Sequence, residues 1–160
     1  MAVELCTPSR DDRALFRELL DQYLRELSEH REFAVGESDA SDYPYFELYW
    51  SECDRFPFGI WSGDKLVGFA LIRRVHTAES EVMQVAEFFV RPEYRRNGIG
   101  SEAIEEVWRQ HRGRWELQVM KGNTSAVNFW EKCISSHAQQ WGVEEIQAED
   151  GRRLFFHFEV

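Results

Sequence analysis

The run Arg95-Arg96-Asn97-Gly98-Ile99-Gly100 places two glycines one residue apart behind two arginines, and a helical pattern begins at once behind it, at Ser101. A helix start leaves backbone N–H groups without partners and carries a partial positive charge. Glycines add close approach and positive φ, so successive N–H groups can turn inward as a nest that holds phosphate. Arg95 and Arg96 are placed to add charge-assisted contacts at its rim. Just upstream, Glu87 is the only charged residue in the apolar run "VMQVAEFFV". Burial there would raise its pKa toward that of a useful general base. Glu81 and His76 are weaker base candidates, read first as surface residues. The segment "ESDASDYPYFELYWSECD" mixes acids with Tyr43, Tyr45, Phe46, Tyr49 and Trp50. Carboxylates beside aromatic faces suit a cationic amine.

These groups need a scaffold. Val3 and Leu5 alternate with polar residues, as in a short strand. Leu15, Phe16, Leu19, Leu20, Tyr23, Leu24 and Leu27 recur at helical spacing, an amphipathic helix. Tyr45 with Tyr49 and Phe46 with Trp50 resume that spacing and predict a second helix. "RFPFGIW" and "KLVGFALIRRV" read as strands joined by the tight turn "SGDK". "ESEVMQVAEFFV" is a further strand, and Ile104, Val107 and Trp108 form one face of a helix that ends near Arg112. "RWELQVM" is a strand, and Asn123 caps a helix over "NTSAVNFWEKCISSH". Two strands around "EDGR" close the chain. The order predicts a single α/β domain over 1–160, of the α+β type.

Bulk properties narrow the function. The 160 residues carry a formal charge of −10, which argues against a nucleic-acid binder. The first 55 residues hold 14 acids against 6 arginines, so a cationic partner would be drawn to that part. No apolar run approaches the roughly 20 residues of a membrane span. The N-terminus has no signal-peptide pattern, so the expected compartment is cytoplasmic. Cys6, Cys53 and Cys133 lack metal spacing and are read as buried or partly buried free thiols; no metal site is expected.

Three phosphate-binding loops compete for the glycine run. The NTPase loop GxxxxGK[ST] lacks its lysine here. The dinucleotide fingerprint GxGxxG lacks its third glycine, because Ser101, Glu102 and Ala103 follow Gly100. The pattern R/Q-x-x-G-x-G/A fits residues 95–100 throughout. With "VRPEYR" in front, "DKLVGFALI" before it and "NTSAVNFWEK" after it, the sequence resembles the GNAT superfamily of N-acetyltransferases. Its "EFFVRPEYRRNGIGSE" looks closest to the diamine acetyltransferases. The resemblance implies a mixed, mostly antiparallel sheet of about seven strands, splayed between the fourth and fifth and flanked by about four helices. It implies acetyl-CoA as donor. Backbone of Phe88 and Val90 would pair with the pantetheine arm, and the amides of Arg96, Asn97, Gly98, Ile99, Gly100 and Ser101 would hold the pyrophosphate. Asn123 would bond the pantetheine, and Phe129 and Trp130 would line the acyl end. The acceptor would be a primary amine, such as a polyamine, an aminoglycoside-like amine or a lysine side chain, met by Glu87, Tyr45 and Tyr49. Whether the protein forms a homodimer is left open.

Two departures stand out. Some relatives carry an acid three residues before Glu87, where this chain has Gln84. Many carry tyrosine as the general acid where this chain has Trp130, and indole N–H is not an acid. A catalytically weak acyl-CoA-binding or sensor module is therefore the alternative to an active enzyme, with another phosphate-cradle protein behind it.

Overall fold

The computed structural model describes residues 3–32 and 43–160. In chain order its elements are β1 (Val3–Cys6), α1 (Arg13–Ser28), β2 (Arg55–Ser62), β3 (Lys65–His76), β4 (Glu81–Val90), α2 (Ile99–Gln110), β5 (Arg114–Met120), α3 (Thr124–His137), β6 (Gln140–Ala148) and β7 (Gly151–Glu159). The strands form one seven-stranded sheet in the order β1-β2-β3-β4-β5-β7-β6. Every neighbouring pair is antiparallel except β4 and β5, which run parallel. A parallel pair needs a crossover, and α2 supplies it.

Two apolar layers sandwich the sheet. On one face, α1 buries Phe16, Leu19, Leu20 and Leu24 against Leu66, Phe69, Leu71 and Phe89. The three- and four-residue spacing of these α1 positions puts them on one stripe. Each such side chain contributes roughly 1.5–3 kcal/mol by leaving water. On the other face, α2 and α3 pack Ile104, Val107, Trp108, Trp130 and Ile134 against Ile72, Val85, Trp115, Leu117 and Phe156. The β2–β3 and β6–β7 hairpins turn where "SGDK" and "EDGR" predict them.

Two expectations change. The run Glu47–Trp50 is a short 3-10 turn rather than a second α-helix, so three α-helices flank the sheet among the described residues. The Phe46 and Trp50 rings do meet, with centroids 4.8 Å apart. One turn is enough for that contact, and so short a run cannot offset the cost of nucleating a longer helix. Of the three cysteines, Cys6 and Cys53 are exposed and only Cys133 is buried. Among the described residues, no helix is long and apolar enough to cross a membrane, and no cluster of potential metal ligands occurs.

Candidate active site

The site begins where the sheet comes apart. The β4–β5 ladder runs from Met83 opposite Trp115 to Val85 opposite Leu117 and stops. Beyond it, β5 keeps pairing with β7 out to Met120 opposite Arg153, while β4 stays with β3 out to Val90 opposite Gly68. The β4 edge that contains Phe88 and Val90 is thus left without a partner on the β5 side. A cleft of ≈ 430 Å³ opens there. Its wall includes Glu87 and Phe88 of β4, Val119 and Met120 of β5, Tyr23 and Leu27 of α1, and Asn123 and Trp130 of α3.

One extra residue aims Glu87. Opposite β3, Val85 faces Ile72 and Glu87 faces Leu71, so Ala86 is the unpaired residue of a β-bulge. Met83 and Val85 lie in the layer beneath α2 and α3, and Phe88, one face-step later than strict alternation allows, packs on the same side against Phe129 and Trp130 of α3. Glu87 and Phe89 turn to the α1 side. Without the bulge, the period of two would drive Glu87 into the α2–α3 core.

On the α1 side, Glu87 Oε2 accepts a hydrogen bond from the Tyr23 hydroxyl. The Tyr23 ring is fixed edge-on to Phe69 with centroids 5.4 Å apart, and tilted on Phe89 at 5.7 Å. Burial pushes the Glu87 carboxyl up to about 7; the Tyr23 hydroxyl, then the Arg153 charge, then the Tyr43 hydroxyl draw it back down. Burial, and next the Glu87 charge, hold the Tyr23 phenol well above its ordinary value, so Tyr23 acts as a donor and not as an acid. Glu81 and His76 face each other at the opposite end of β4, exposed and paired (Nδ1 to Oε1, 3.4 Å), with Asp54 on the other ring nitrogen. Gln84 Nε2 donates to Glu116 at 3.2 Å. Neither pair stands in for Glu87.

The glycine turn follows β4. Arg96 and Gly98 both take left-handed φ, 65° and 79°, on either side of Asn97. Such a sequence of turns points successive amides to one side. Gly98 is the residue before α2, no side chain caps that helix, and the first helical amides have no acceptor within it. At Gly100 a Cβ would lie 3.2 Å from two ring carbons of Phe129 and 3.6 Å from Phe88, so the turn can sit against the Phe88–Phe129 stack only without a side chain. Arg96, Asn97 and Gly98 are exposed. Bare amides with no competing side chain fit a diphosphate. Arg95 departs from the expectation for its side chain. Its guanidinium forms a two-pronged pair with Glu26 of α1, at 2.8 and 2.7 Å, and its Nε donates to the Val90 carbonyl at 2.7 Å. It anchors the turn to α1 instead of reaching for an anion, because a fork already matched to a carboxylate has no reason to leave it.

At the far end of the cleft, Asn123 caps α3, its Oδ1 accepting from the Ala126 amide at 3.3 Å. Trp130 is buried and edge-on to Phe88 at 5.0 Å, so it packs this end of the cleft. Tyr45 and Tyr49 also line the cleft, but Arg55 lies over both rings, at 5.1 and 5.2 Å. The aromatic faces expected to receive a cationic substrate already hold a cation of the protein. Among the described residues Tyr49 Oη is buried and meets no partner at hydrogen-bond geometry; burial, before any other cause, holds its phenol above the ordinary value, while the nearby Tyr43 hydroxyl and then the Arg55 charge draw it down. Glu37, Asp39 and Asp42, part of the expected acidic wall, lie outside the described residues. Sequence reasoning missed Tyr23, read only as a core position of α1, and also Arg55, Arg73 and Arg153 in the cleft wall. Nothing in their local sequence marks them.

Comparison with known proteins agrees with this architecture. The sequence profile described as the acetyltransferase (GNAT) family matches residues 14–134. An acetyltransferase from Thermus thermophilus superposes with a TM-score of 0.72 at 13% identity, over 100% of this chain and 98% of its own. A spermidine N-acetyltransferase from Vibrio cholerae, solved with CoA and spermine, gives 0.68 at 14% identity over 98% and 94%. The NatC complex, solved with a Gag peptide and CoA, gives 0.65 at 15% identity over 100% and 99%. No curated protein sequence matches the chain. The profile match spans most of the chain, including the glycine turn and the helix that follows β5, and on that ground the protein belongs to the GNAT acetyltransferase family.

Proposed function

We propose that the protein transfers an acetyl group from acetyl-CoA to the nitrogen of a primary amine by direct attack, with Glu87 as general base. One observation carries this reading: a carboxylate held near neutrality by burial stands on the unpaired edge of β4, where the sheet splays. Acetyl-CoA supplies an activated acetyl thioester. The amides from Arg96 to Ser101 would hold its diphosphate, and the free β4 edge at Phe88 and Val90 would pair with the pantetheine arm.

An alkylamine with a pKa near ~10.4 enters as its ammonium form. Glu87, ionised in about half the molecules near pH 7, accepts one proton directly or through one water. The freed lone pair forms the C–N bond as the C–S bond breaks. The thiolate departs, and the second nitrogen proton is released to solvent. A thiol pKa of about 8.5 makes the thiolate a workable leaving group without a side-chain acid. That matters because Trp130 offers none. A β4 amide would donate to the developing oxyanion. A polyamine-like acceptor draws support from the Vibrio cholerae relative and from the acid-rich N-terminal third, but the described cleft wall adds nothing to it. Trp130 also favours a second reading, a weakly catalytic acyl-CoA sensor.

Thiol release from acetyl-CoA, followed over a panel of primary amines, tests the proposal. Amine-dependent release with stoichiometric acetylamide is the expected result. Tight acetyl-CoA binding with no release on any amine would leave the sensor reading in its place.

A further inference from the structure

Four arginines line the described cleft wall, Arg31, Arg55, Arg73 and Arg153, against two acids, Glu87 and Asp150. Asp150 is already engaged. Arg153 grips both its oxygens, at 3.2 and 2.8 Å, and Arg31 Nε lies 3.9 Å away. Arg55 pairs with Glu52 at 2.9 Å, and only 9% of its side chain is exposed. Arg73 differs from these. It stands directly opposite Arg55 in the β2–β3 ladder and opposite Gln84 in the β3–β4 ladder. Among the described residues its guanidinium has no ion pair and no hydrogen bond. Like charges directly opposite on adjacent strands are destabilising. A fold that keeps two arginines face to face in its cleft, one of them unpaired, gains when an anion comes between them.

That site has a fixed relation to Glu87. Leu71, the β3 partner of Glu87, is two residues from Arg73 on the same strand face. The diagonal spacing across such a pair is roughly 7–8 Å. An amine nitrogen at Glu87 and an anion at Arg73 are then about one short carbon chain apart.

We infer that the acceptor amine carries a carboxylate, held by Arg73 together with Arg55, so that the substrate class is an amino acid or ω-amino acid rather than a polyamine. This rests on the proposed amine acetylation, and it specifies the other end of the same acceptor. A planar carboxylate matches the arginine fork in two-pronged fashion, and a partly buried ion pair is screened less than one on the surface. A diamine of the same length would place an ammonium group against two guanidinium groups and be rejected by like-charge repulsion.

The test compares 5-aminopentanoate, pentylamine and 1,5-diaminopentane. One arm is thiol release from acetyl-CoA with the full chain. The other is calorimetric titration of each probe into the CoA-loaded protein, which needs no turnover. We expect kcat/KM at least 10-fold higher for 5-aminopentanoate than for either other amine. In Arg73→Gln that ratio should fall to about one through KM, and in Arg73→Lys it should return in part. The titration should give the same order. A diamine preference, three equal amines, binding of none of the probes, or a carboxylate preference that survives Arg73→Gln would each overturn the inference while leaving acetyl transfer to be judged by the first arm. Selective binding of 5-aminopentanoate with no release on any amine would uphold the subsite and refute the transferase reading.

Discussion

Replacing Tyr23 by Phe probes the reasoning about Glu87 most directly. The ring that packs on Phe69 and Phe89 stays, and only the hydroxyl that donates to Glu87 Oε2 is lost. That hydrogen bond is the largest influence lowering the Glu87 carboxyl, against burial, which raises it to about 7. A hydrogen bond to a charged group contributes about 1.5–3 kcal/mol. At about 1.4 kcal/mol per pKa unit, its loss lifts Glu87 by roughly 1–2 units. The ionised fraction at pH 7 then falls from about one half to between about 9% and 1%, and kcat/KM at that pH falls roughly 5- to 50-fold. At high pH the variant regains most of the activity. The assay is thiol release with one fixed amine from pH 6 to 9.5. Taking the ratio of variant to wild type cancels the ionisation of the amine itself. An ascending limb that stays in place, or moves to lower pH, would refute both the hydrogen bond and the assignment of that limb to Glu87.

Other outcomes follow from the same geometry. Glu87→Gln should lower kcat by about 10²–10⁴-fold and abolish the ascending limb, measured in the same pH series. It should also change how stability depends on pH. The Glu87 pKa is raised on folding from its ordinary 4.5 to about 7, so the folded state binds that proton more tightly and wild-type stability falls as pH climbs through this window. The loss is on the order of 3 kcal/mol by pH 8, and urea unfolding at pH 5 and 8 should show it in wild type and not in the Gln variant. Gly100→Ala should raise KM for acetyl-CoA, because its Cβ would sit 3.2 Å from the Phe129 ring and force the turn to shift. Thermal stability should move little, since a helix gains about 1 kcal/mol from that exchange and overpacking offsets it. An unchanged KM would remove the turn from the donor site.

What the sequence settled by itself is what consecutive residues settle. The proposed diphosphate cradle is backbone from adjacent positions, so Arg96 to Ser101 suggest it by type and spacing, and the left-handed φ at Gly98 is where a glycine is expected. The α1 stripe and both hairpins are equally local. Even there a side chain escaped prediction, since the partner that occupies Arg95, Glu26, is 69 residues away. The proposed acceptor site is not local at all. Ala86, one extra residue in β4, decides which face Glu87 takes, and a period of two turns any such slip into a change of sides. Tyr23 reaches Glu87 across 64 residues of chain, and Arg73 meets Arg55 only through the register of β2 on β3. Aromatic faces that looked free in the sequence were covered by Arg55 once the chain had folded. Spacing along a chain fixes which backbone amides lie together, whereas which charges face one another is fixed by register between strands, and register belongs to the tertiary structure.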